Sequence, residues 1–422
     1  MSRVVVAGGG VAGLVAARRL AETGATVDCY ERHSEVGGRV RSTRRDGYVF
    51  DRGFQVLFTA YPAARRELDF DALDLRSFDP GAVVAAPNHR AVLSDPFRDF
   101  GGALESLFTR DVTTLDKLRV LKLRQELSDK PDRDIFSGPD QTTREYLEER
   151  GFSEDFVERF AAPFYGGITL DRSLGTSKKV FEFTFKMLST GEIAVPAQGM
   201  GKISEQLAER AREAGATIHT DETVTELDPH AEEPTVELGR ETTTADAVVV
   251  ATDPKEAREL TGVETIPTDA KGCVTQYLAF EGEELDAGER LLLNAEGDEG
   301  PNQVAQLSAV APEYAPEDEV LLSATYLGVP DDPDETLTEQ TRRTLASWYP
   351  ERQLDLRHLH TSRIEFAQFA QPPGIFDRLP WIRDPDGPVY LAGEYTDASS
   401  VNAAMQSGRK AARAVVDDLG LP

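Results

Sequence analysis

Hydrophobic and polar positions near the N-terminus follow the order strand, glycine-rich turn, helix, strand. Arg3 to Ala7 form a valine-rich run typical of a buried parallel strand, and Gly8-Gly9-Gly10 follow directly. The next stretch, VAGLVAARRLAETG, is apolar at helical spacing, and its last residue, Gly24, predicts the end of the helix. ATVDCYE is then a second strand. We therefore predict a βαβ unit spanning roughly thirty residues.

The same alternation returns in the middle and at the end of the chain. GKISEQLAERAREAG is an amphipathic helix that stops at Gly215, and ATIHTDETVTEL and ADAVVVATDP have the pattern of strands. The close, PVYLAGEYTDASSVNAAMQSGRKAARAVVDDL, predicts a strand, a polar loop and a helix. Between these parts, Phe54 to about Val195 and Glu264 to Gly387 mix helices, loops, aromatic residues and strand-like runs such as CVTQYLAF.

This interleaving predicts an α/β protein of two domains, as its length also suggests. A doubly wound, Rossmann-like domain would be assembled from residues 1–54, 196–264 and 388–422. An α+β substrate domain would be assembled from residues 55–195 and 265–387.

Composition narrows the class of protein. Of 422 residues, 40% are hydrophobic, which is ordinary for a soluble globular protein. No apolar run approaches the ~20 residues of a membrane helix, and MSRVVVAGGG lacks the apolar stretch of a signal peptide, so we expect a cytoplasmic location. The two cysteines, Cys29 and Cys273, exclude a disulfide framework, and the six histidines show no metal spacing. We therefore expect no metal.

Charge narrows the partners further. The net charge is -28, and the acidic residues are dispersed rather than gathered in one tail. Such a field disfavours nucleic acid and anionic lipid, so we expect no nucleic-acid partner and at most peripheral membrane contact. Dispersed acidity with little lysine resembles proteins of organisms that hold molar salt, where the Debye length is only ~3 Å. We therefore predict a halophilic protein.

The first candidate site is the glycine motif after the first strand. Gly8, Gly10 and Gly13 form G-x-G-x-x-G between a strand and a helix. Gly8 permits the tight turn, Gly10 lets a pyrophosphate approach the backbone, and Gly13 lets helix and strand pack closely. Glu31 ends the second strand, where a carboxylate accepts hydrogen bonds from ribose hydroxyls. Together these features predict dinucleotide binding.

A second glycine element follows in ERHSEVGGRVRS. Nothing in nicotinamide recognition requires Gly37-Gly38-Arg39 after the acid. Two more glycines and an arginine suit further contact with a pyrophosphate, because the guanidinium and N–H groups neutralise the anion.

These motifs carry a resemblance to a known family. VVVAGGGVAGLVAARRLAETGATVDCYERHSEVGGRVRS resembles the N-terminus of the FAD-dependent amine oxidase and phytoene desaturase superfamily, which includes protoporphyrinogen oxidases. The resemblance implies that Glu31 binds the adenosine ribose and Arg39 lies along the FAD pyrophosphate. FDRGFQVLFTAYP resembles the element that passes the flavin, and Val224 falls where relatives bind adenine through the backbone.

The C-terminal segment extends the resemblance. VYLAGEYTDASSVNAAMQSGRKAA is similar to the family's last FAD motif, in which Gly393 and Glu394 would approach pyrophosphate and ribitol. The helix starting near Asn402 would aim the N–H groups of Ala403 to Met405 at the flavin. This motif holds no Cys or His, so we expect the FAD to be bound non-covalently. The FAD-binding residues that the resemblance implies are Gly8, Gly10, Ala12, Gly13, Glu31, Arg32, Gly37, Gly38, Arg39, Gly53, Phe54, Val224, Gly393, Glu394, Asn402, Ala403, Ala404 and Met405.

Flavin dehydrogenation needs positioning more than a catalytic triad, and the sequence assigns no catalytic residue. Amine oxidases of the superfamily hold a lysine near the flavin on an early strand of the second substrate segment. GCVTQYLAF occupies that region, Gln276 best matches the lysine, and Lys271 is expected to precede the strand. Aromatic residues that either face the flavin or pack in the core are Tyr61, Phe164, Tyr165, Tyr326, Trp381 and Tyr395.

The missing lysine favours desaturation of a lipophilic, carotenoid-like polyene over amine oxidation. A polyene isomerase and an FAD-free prenyl-lipid escort protein are further alternatives, although an escort protein has no need of an intact flavin site. No second G-x-G-x-x-G follows a strand, so we expect oxygen or a quinone, rather than a nicotinamide domain, to reoxidise the flavin.

Overall fold

The computed structural model describes residues 2–93, 113–228, 234–239, 241–297 and 300–422. Residues 94–112, part of the predicted mixed segment after Phe54, lie outside the described residues. The strands, in chain order, are β1 Arg3–Ala7, β2 Thr26–Tyr30, β3 Ser42–Arg45, β4 Tyr48–Asp51, β5 Leu57–Phe58, β6 Leu75–Ser77, β7 Ala82–Ala86, β8 His89–Leu93, β9 Ile193–Pro196, β10 Thr217–His219, β11 Glu226–Asp228, β12 Thr235–Leu238, β13 Glu241–Thr244, β14 Ala247–Val250, β15 Ala270–Glu281, β16 Leu291–Asn294, β17 Gln303–Gln306, β18 Glu319–Leu327, β19 Arg357–Phe369 and β20 Val389–Leu391.

Helices fill the stretches between these strands. They are α1 Val11–Ala21, α2 Ala64–Glu67, α3 Phe70–Leu73, α4 Thr114–Ser128, α5 Asp132–Ser137, α6 Thr143–Glu149, α7 Glu154–Phe156, α8 Ala162–Thr169, α9 Lys178–Thr190, α10 Gly201–Glu213, α11 Pro254–Thr261, α12 Leu307–Val310, α13 Asp334–Trp348 and α14 Val401–Leu419. A π-helical turn at Val157–Ala161 joins α7 to α8.

A five-stranded parallel sheet has the order β10-β2-β1-β14-β20. Its central strands are almost entirely apolar and buried because both faces are covered. Helices α1, α10 and α14 pack together on one side, and the approach of α14 to α1 depends on Gly408. A Cβ at Gly408 would lie 2.2 Å from the carbonyl oxygen of Ala12. The predicted α/β class with a doubly wound sheet is confirmed.

A seven-stranded mixed sheet has the order β19-β15-β18-β17-β16-β7-β8. Its strands come from residues 82–93, 270–327 and 357–369, whereas those of the parallel sheet come from the start, middle and end of the chain. The predicted domain boundaries stay a prediction, and this division of strands between two sheets is compatible with them.

A buried polar cluster joins the β3–β4 hairpin to the start of α10 and to the mixed sheet. Asp51, at the end of β4, accepts hydrogen bonds from Ser42 Oγ (2.5 Å) and the Met200 N–H (2.8 Å) on one side. From the mixed-sheet side, Tyr314 donates to its carboxylate (2.9 Å) and Tyr277 donates to its carbonyl oxygen (2.8 Å). Burial raises the pKa of Asp51 despite these donors. The cluster holds in place the backbone that continues into Gly53 and Phe54.

Two features are absent from the described ranges. No helix there is long and apolar enough to cross a bilayer. No three His, Cys, Asp or Glu side chains there are grouped so that they could hold a metal ion.

Candidate active site

One large cavity lies at the carboxyl ends of the parallel strands. Gly8 follows β1, Glu31 follows β2, Ala251 follows β14 and Gly393 comes soon after β20, and all four residues line a space of about 880 Å³. The carboxyl edge of such a sheet is where nucleotides bind, because the turns and helix N-termini there present free N–H groups.

The glycines form a cradle with room for a phosphate. Gly8 has a φ of +106°, and a Cβ there would lie 2.6 Å from the Ala251 carbonyl oxygen. Gly10 faces open space, since a Cβ there would meet nothing within 4 Å. The Gly37 N–H donates to the Gly9 carbonyl oxygen (2.8 Å), which brings the second glycine element beside the first. Nearby Gly38 has a φ of +57°, a conformation that favours glycine.

Gly13 serves packing instead of lining the cavity. A Cβ at this position would lie 2.0 Å from the Gly8 carbonyl oxygen and 3.1 Å from the Ala251 Cβ. The close contact between α1 and the sheet therefore requires glycine, as the motif predicts.

Glu31 is buried and firmly held. Its Oε2 accepts from the Gly9 N–H (2.9 Å) and its Oε1 accepts from the His33 N–H (2.9 Å). Each carboxylate oxygen keeps a further lone pair for a hydroxyl donor. The arrangement suits the predicted contact with a ribose.

Arg39 joins the N-terminal motif to the C-terminal one. Its guanidinium forms an ion pair with Glu394 (2.5 Å), donates to the Ala367 carbonyl oxygen (3.1 Å), and lies 5.9 Å from the centre of the Phe366 ring. Because Glu394 is buried, the guanidinium neutralises a carboxylate that would otherwise repel a pyrophosphate.

Further arginines gather here: Arg32 and Arg52 line the cavity, and Arg41 lies near Arg52 without lining it. Burial lowers the pKa of the Arg52 guanidinium, and the positive charges of Arg41, Arg39 and Arg32 lower it further. Arg32 pairs with the side chains of Asp253 and Glu256, both at 3.0 Å. Within the described ranges, Arg41 and Arg52 have no carboxylate partner. Like charges converging in a protein of net charge -28 indicate that an anion belongs here.

The adenine end of the cavity is built from backbone. Val224 lines it, and in the part of the chain that the structure describes its N–H and C=O are bonded to no other group. Both groups are therefore available to a base.

The start of α14 differs from the prediction. Ser400 is the N-cap, its Oγ accepts from the Ala403 N–H (3.1 Å), and its carbonyl oxygen accepts from the Ala404 N–H (3.0 Å). The expectation that the N–H groups of Ala403 and Ala404 point at the flavin is therefore wrong. At this end of α14, the N–H groups of Val401 and Asn402 have no partner among the described residues.

The predicted residues fall into two groups. All of the predicted FAD-binding residues line the cavity except four: Gly13, Asn402, Ala403 and Met405. The side chain of Asn402 faces the preceding segment, because its Oδ1 accepts from the Ala63 N–H (2.9 Å), and Met405 is fully buried. Gln55, which the FDRGFQVLFTAYP motif implicates beside Gly53 and Phe54, also lines the cavity. Cavity-lining residues that the motifs did not single out include Arg52, Thr252, Asp253, Lys255 and Gln303.

The other part of the cavity is apolar and lies between the parallel sheet and the mixed sheet. Of the aromatic candidates, Tyr61 and Phe164 line it. Trp381 is 79% exposed, and Tyr326 is bonded to the Leu337 carbonyl oxygen (2.7 Å), so neither belongs to the cavity wall. Tyr165 and Tyr395 are buried in the core. The apolar residues of this wall are Phe54, Val56, Phe58, Tyr61, Phe164, Ile168, Ile193, Leu291, Leu293, Ile364 and Val401.

The match of Gln276 to the amine oxidase lysine is wrong. Its amide is buried and donates to the Asp334 carbonyl oxygen (2.9 Å), on the face of β15 away from the cavity. Cys273 is the residue of β15 that lines the cavity, and burial raises the pKa of its thiol to about 11. Lys271 lies within β15 instead of before it, and pairs with Asp171 (3.4 Å).

The residues present fit FAD. A glycine cradle without side chains, Arg52 without a carboxylate partner in the described ranges, a fixed acid and free backbone groups at Val224 supply the contacts that a dinucleotide needs. The adjoining apolar wall provides a water-poor space beside it.

Comparison with known proteins gives the family. Residues 11–416 match the model of the flavin containing amine oxidoreductase family. A carotenoid 3,4-desaturase of Haloarcula japonica is 28% identical over 287 residues, which cover 61% of this chain and 57% of that protein. Protoporphyrinogen oxidase 2 of Arabidopsis thaliana is 26% identical over 165 residues, which cover 39% of this chain and 32% of that protein. The matched stretches thus span less than two thirds of either relative.

Solved structures share the fold. Putrescine oxidase bound to putrescine superposes with a TM-score of 0.72 at 16% sequence identity, over 99% of both chains. Because the family model covers residues 11–416, nearly the whole chain, this protein belongs to the flavin containing amine oxidoreductase family. Membership confirms the predicted superfamily, FAD as the cofactor, and an FAD-dependent oxidoreductase as the class of enzyme.

Proposed function

We propose that this flavoenzyme dehydrogenates a lipophilic substrate, introducing a carbon–carbon double bond into a carotenoid-like polyene. The observation that carries the proposal is the apolar wall of the cavity, to which the mixed sheet contributes Leu291, Leu293 and Ile364. Side chains from the segment after β4, from α8 and from β16 enclose one continuous space beside the glycine cradle. Such a wall binds a long hydrocarbon by removing its surface from water.

Bound FAD would supply the hydride acceptor, and the chain's own residues would supply position and dryness. The charged residues at the rim of the substrate part, Asp331, Arg363 and Glu365, are exposed. Arg363 is held there by Asp334 (2.5 Å). Inside, the wall keeps water from the reacting carbons, which carry only C–H bonds. The hydride and the proton that leave them would both be taken up by the flavin, so the site needs a dry slot more than a titrating base.

The cofactor contacts are proposed residue by residue. Glu31 would accept from the adenosine ribose, Val224 would meet adenine through its backbone, and Gly10 and Gly38 would admit the pyrophosphate. Arg39 and Arg52 would neutralise it. We also propose that residues 1–54, 196–264 and 388–422 form the FAD domain, and that the remainder forms the substrate domain.

FAD is proposed to be held without a covalent bond, because no Cys or His occurs in the C-terminal motif. Denaturing the yellow protein should then release intact FAD into the supernatant. Flavin that stays with the precipitated chain would contradict non-covalent binding. It would not affect the proposal that the enzyme is a dehydrogenase.

The substrate class is tested by anaerobic reduction. Lipophilic polyenes, presented in detergent, should bleach the flavin absorbance of the purified protein, and product analysis should find one more double bond. Primary amines and polyamines should leave the absorbance unchanged. Rapid bleaching by an amine, with no response to polyenes, would contradict desaturation and indicate amine oxidation instead.

The similarity of this chain to the carotenoid 3,4-desaturase of Haloarcula japonica supports the order of these alternatives. A polyene that is rearranged without any bleaching would instead indicate an isomerase. We propose oxygen or a quinone as the acceptor, and reoxidation rates with each, measured after anaerobic reduction, identify which one serves.

A further inference from the structure

One polar side chain interrupts the apolar wall at a well-defined place. Gln303 begins β17, pairs with Leu293 of β16 across the mixed sheet, and lines the cavity. It is 4% exposed, so its amide can reach only the protein interior and the cavity. Gly167 of α8 packs against that amide, since a Cβ there would lie 2.9 Å from Oε1.

The orientation of the amide follows from its neighbours. Arg172, which can only donate, donates to Asn302 Oδ1 (3.1 Å). The Asn302 Nδ2 must then face the other way, where it donates to the Pro163 carbonyl oxygen (2.9 Å) and to Gln303 Oε1. The oxygen of Gln303 is thereby committed to Asn302, and its Nε2 is left on the cavity side.

That Nε2 has no hydrogen-bond partner within the described ranges. The hydroxyl of Tyr61, another cavity-lining residue that is 8% exposed, is likewise unpartnered in the described part of the chain. Burial raises the pKa of this phenol, so it stays protonated and able to donate. Neither donor atom is fully buried in the protein alone. A bound lipophile that covered them without offering an acceptor would leave them buried and unpaired, which costs free energy.

We propose that Gln303 donates a hydrogen bond to an oxygen of the substrate, so that the site takes an oxygen-bearing lipophile in preference to a pure hydrocarbon. The inference rests on the proposed function, because it places a lipophilic substrate in the same cavity. A carbonyl, carboxylate or hydroxyl oxygen satisfies the Nε2, whereas a hydrocarbon leaves it buried and unpaired. Sites built to hydrogen-bond a polar group reject analogues that lack the group.

The test uses farnesylacetone, a polyene ketone, and the hydrocarbon of the same skeleton without the carbonyl oxygen. Their dissociation constants are measured on the FAD-loaded protein from the perturbation of flavin absorbance, without turnover. The wild type should bind the ketone roughly ten- to a hundredfold more tightly. Gln303→Met keeps the side chain's length and should abolish most of this preference.

Gln306→Met is the matched control. Gln306 ends the same strand, loses one hydrogen bond of similar length on substitution (2.7 Å, from the Leu285 N–H), and does not line the cavity. It should retain the preference for the ketone. Gln303→Glu provides a second variant that can still accept from Asn302 but presents a carboxylate to the substrate oxygen, and it should also lose the preference.

Equal binding of both probes by the wild type would overturn this inference and leave the proposed lipophilic substrate standing. Retention of the preference by both Gln303 variants would overturn it as well, as would a loss of FAD affinity without a change in preference, since Gln303 would then serve the cofactor. Failure of the wild type to bind either probe would refute the proposed function and this inference together.

Discussion

Replacing Arg39 by alanine removes a guanidinium on which two different interactions depend. In the protein alone it neutralises Glu394, at 2.5 Å, and also donates to Ala367. When FAD is bound, the same group is proposed to face the pyrophosphate. Arg39→Ala should therefore affect both stability and cofactor affinity, and the two effects can be separated.

The loss of stability follows from the burial of the pair. Breaking a fully buried ion pair costs about 3–5 kcal/mol, because one charge is left uncompensated. The side chain of Arg39 is 30% exposed and that of Glu394 is 8% exposed, so water reaches part of the pair. We therefore expect a smaller loss in the free energy of unfolding of the apoprotein, about 2 kcal/mol.

The loss of affinity follows from the hydrogen bond. A hydrogen bond to a charged group contributes about 1.5–3 kcal/mol, so the dissociation constant for FAD should rise roughly ten- to a hundredfold. Glu394→Gln combined with Arg39→Ala removes the uncompensated carboxylate. This double variant should regain most of the stability and keep the weakened FAD binding.

The assay titrates apoprotein with FAD and follows the quenching of flavin fluorescence, and thermal unfolding of the apoprotein gives stability. Arg413→Ala is the control, since it breaks an exposed pair with Asp417 on α14 and should change neither quantity measurably. Unchanged FAD affinity in Arg39→Ala would refute the proposed contact with the pyrophosphate. Full recovery of affinity in the double variant would show that Arg39 acts only by neutralising Glu394.

Three further predictions concern charge and burial. Arg52→Gln should weaken FAD binding roughly tenfold, because it removes a hydrogen bond to the pyrophosphate. It should not destabilise the apoprotein, because it relieves repulsion from the neighbouring arginines. The same titration and melting curves measure both quantities, and an unchanged FAD affinity would contradict the prediction. Raising salt toward the molar range should raise the melting temperature, because it screens a net charge of -28, and a melting temperature indifferent to salt would remove the halophile prediction. Burial raises the pKa of the Cys29 thiol to about 12 and that of the Cys273 thiol to about 11. Iodoacetamide at mildly alkaline pH should therefore alkylate both cysteines only after unfolding. Rapid labelling of the native protein would contradict their buried positions.

The parts of the site that could be predicted from the sequence depend on local backbone geometry. Gly8 needs its positive φ, Gly13 needs contact with the sheet, and Glu31 follows a strand that the hydrophobic pattern already indicates. Each requirement is met within a few residues of chain, so the motif carries it. The cradle could therefore be located before any tertiary contact was known.

Features that depend on strand register could not be predicted in this way. Gln276 and Cys273 differ by three positions in β15, and side chains of a strand alternate between faces, so an odd offset exchanges the cavity for the opposite side. The pairing of β15 with β19 also shifts register between Lys271 and Cys273, which no sequence pattern signals. Matching a lysine by its position along the chain therefore selected the wrong face.

The prediction about the N-terminus of α14 was wrong for a different reason. Ser400 is a favoured N-cap residue directly before the apolar stretch of the helix, and capping preferences alone would have placed the first helical residue at Val401. The serine hydroxyl then satisfies the Ala403 N–H, and the groups left to bind lie one or two residues earlier. This signal was present in the sequence, whereas the role of Arg52 depended on which arginines the fold brings together.

The cofactor wall and the substrate wall of the cavity need opposite electrostatic properties. FAD carries an anionic pyrophosphate into a protein whose net charge of -28 repels anions, so the cradle needs local positive charge to bind it. The arginines around Gly10 and Gly38 provide that charge, and the N–H groups of the glycine turns add to it without introducing further carboxylates. The substrate wall instead excludes charge, because a lipophile gains nothing from it and water drawn in by a charged side chain would weaken apolar binding. Gln303 can stand in that wall because an amide is neutral, so it can discriminate between substrates without carrying the counter-ion and water that a charged donor would bring.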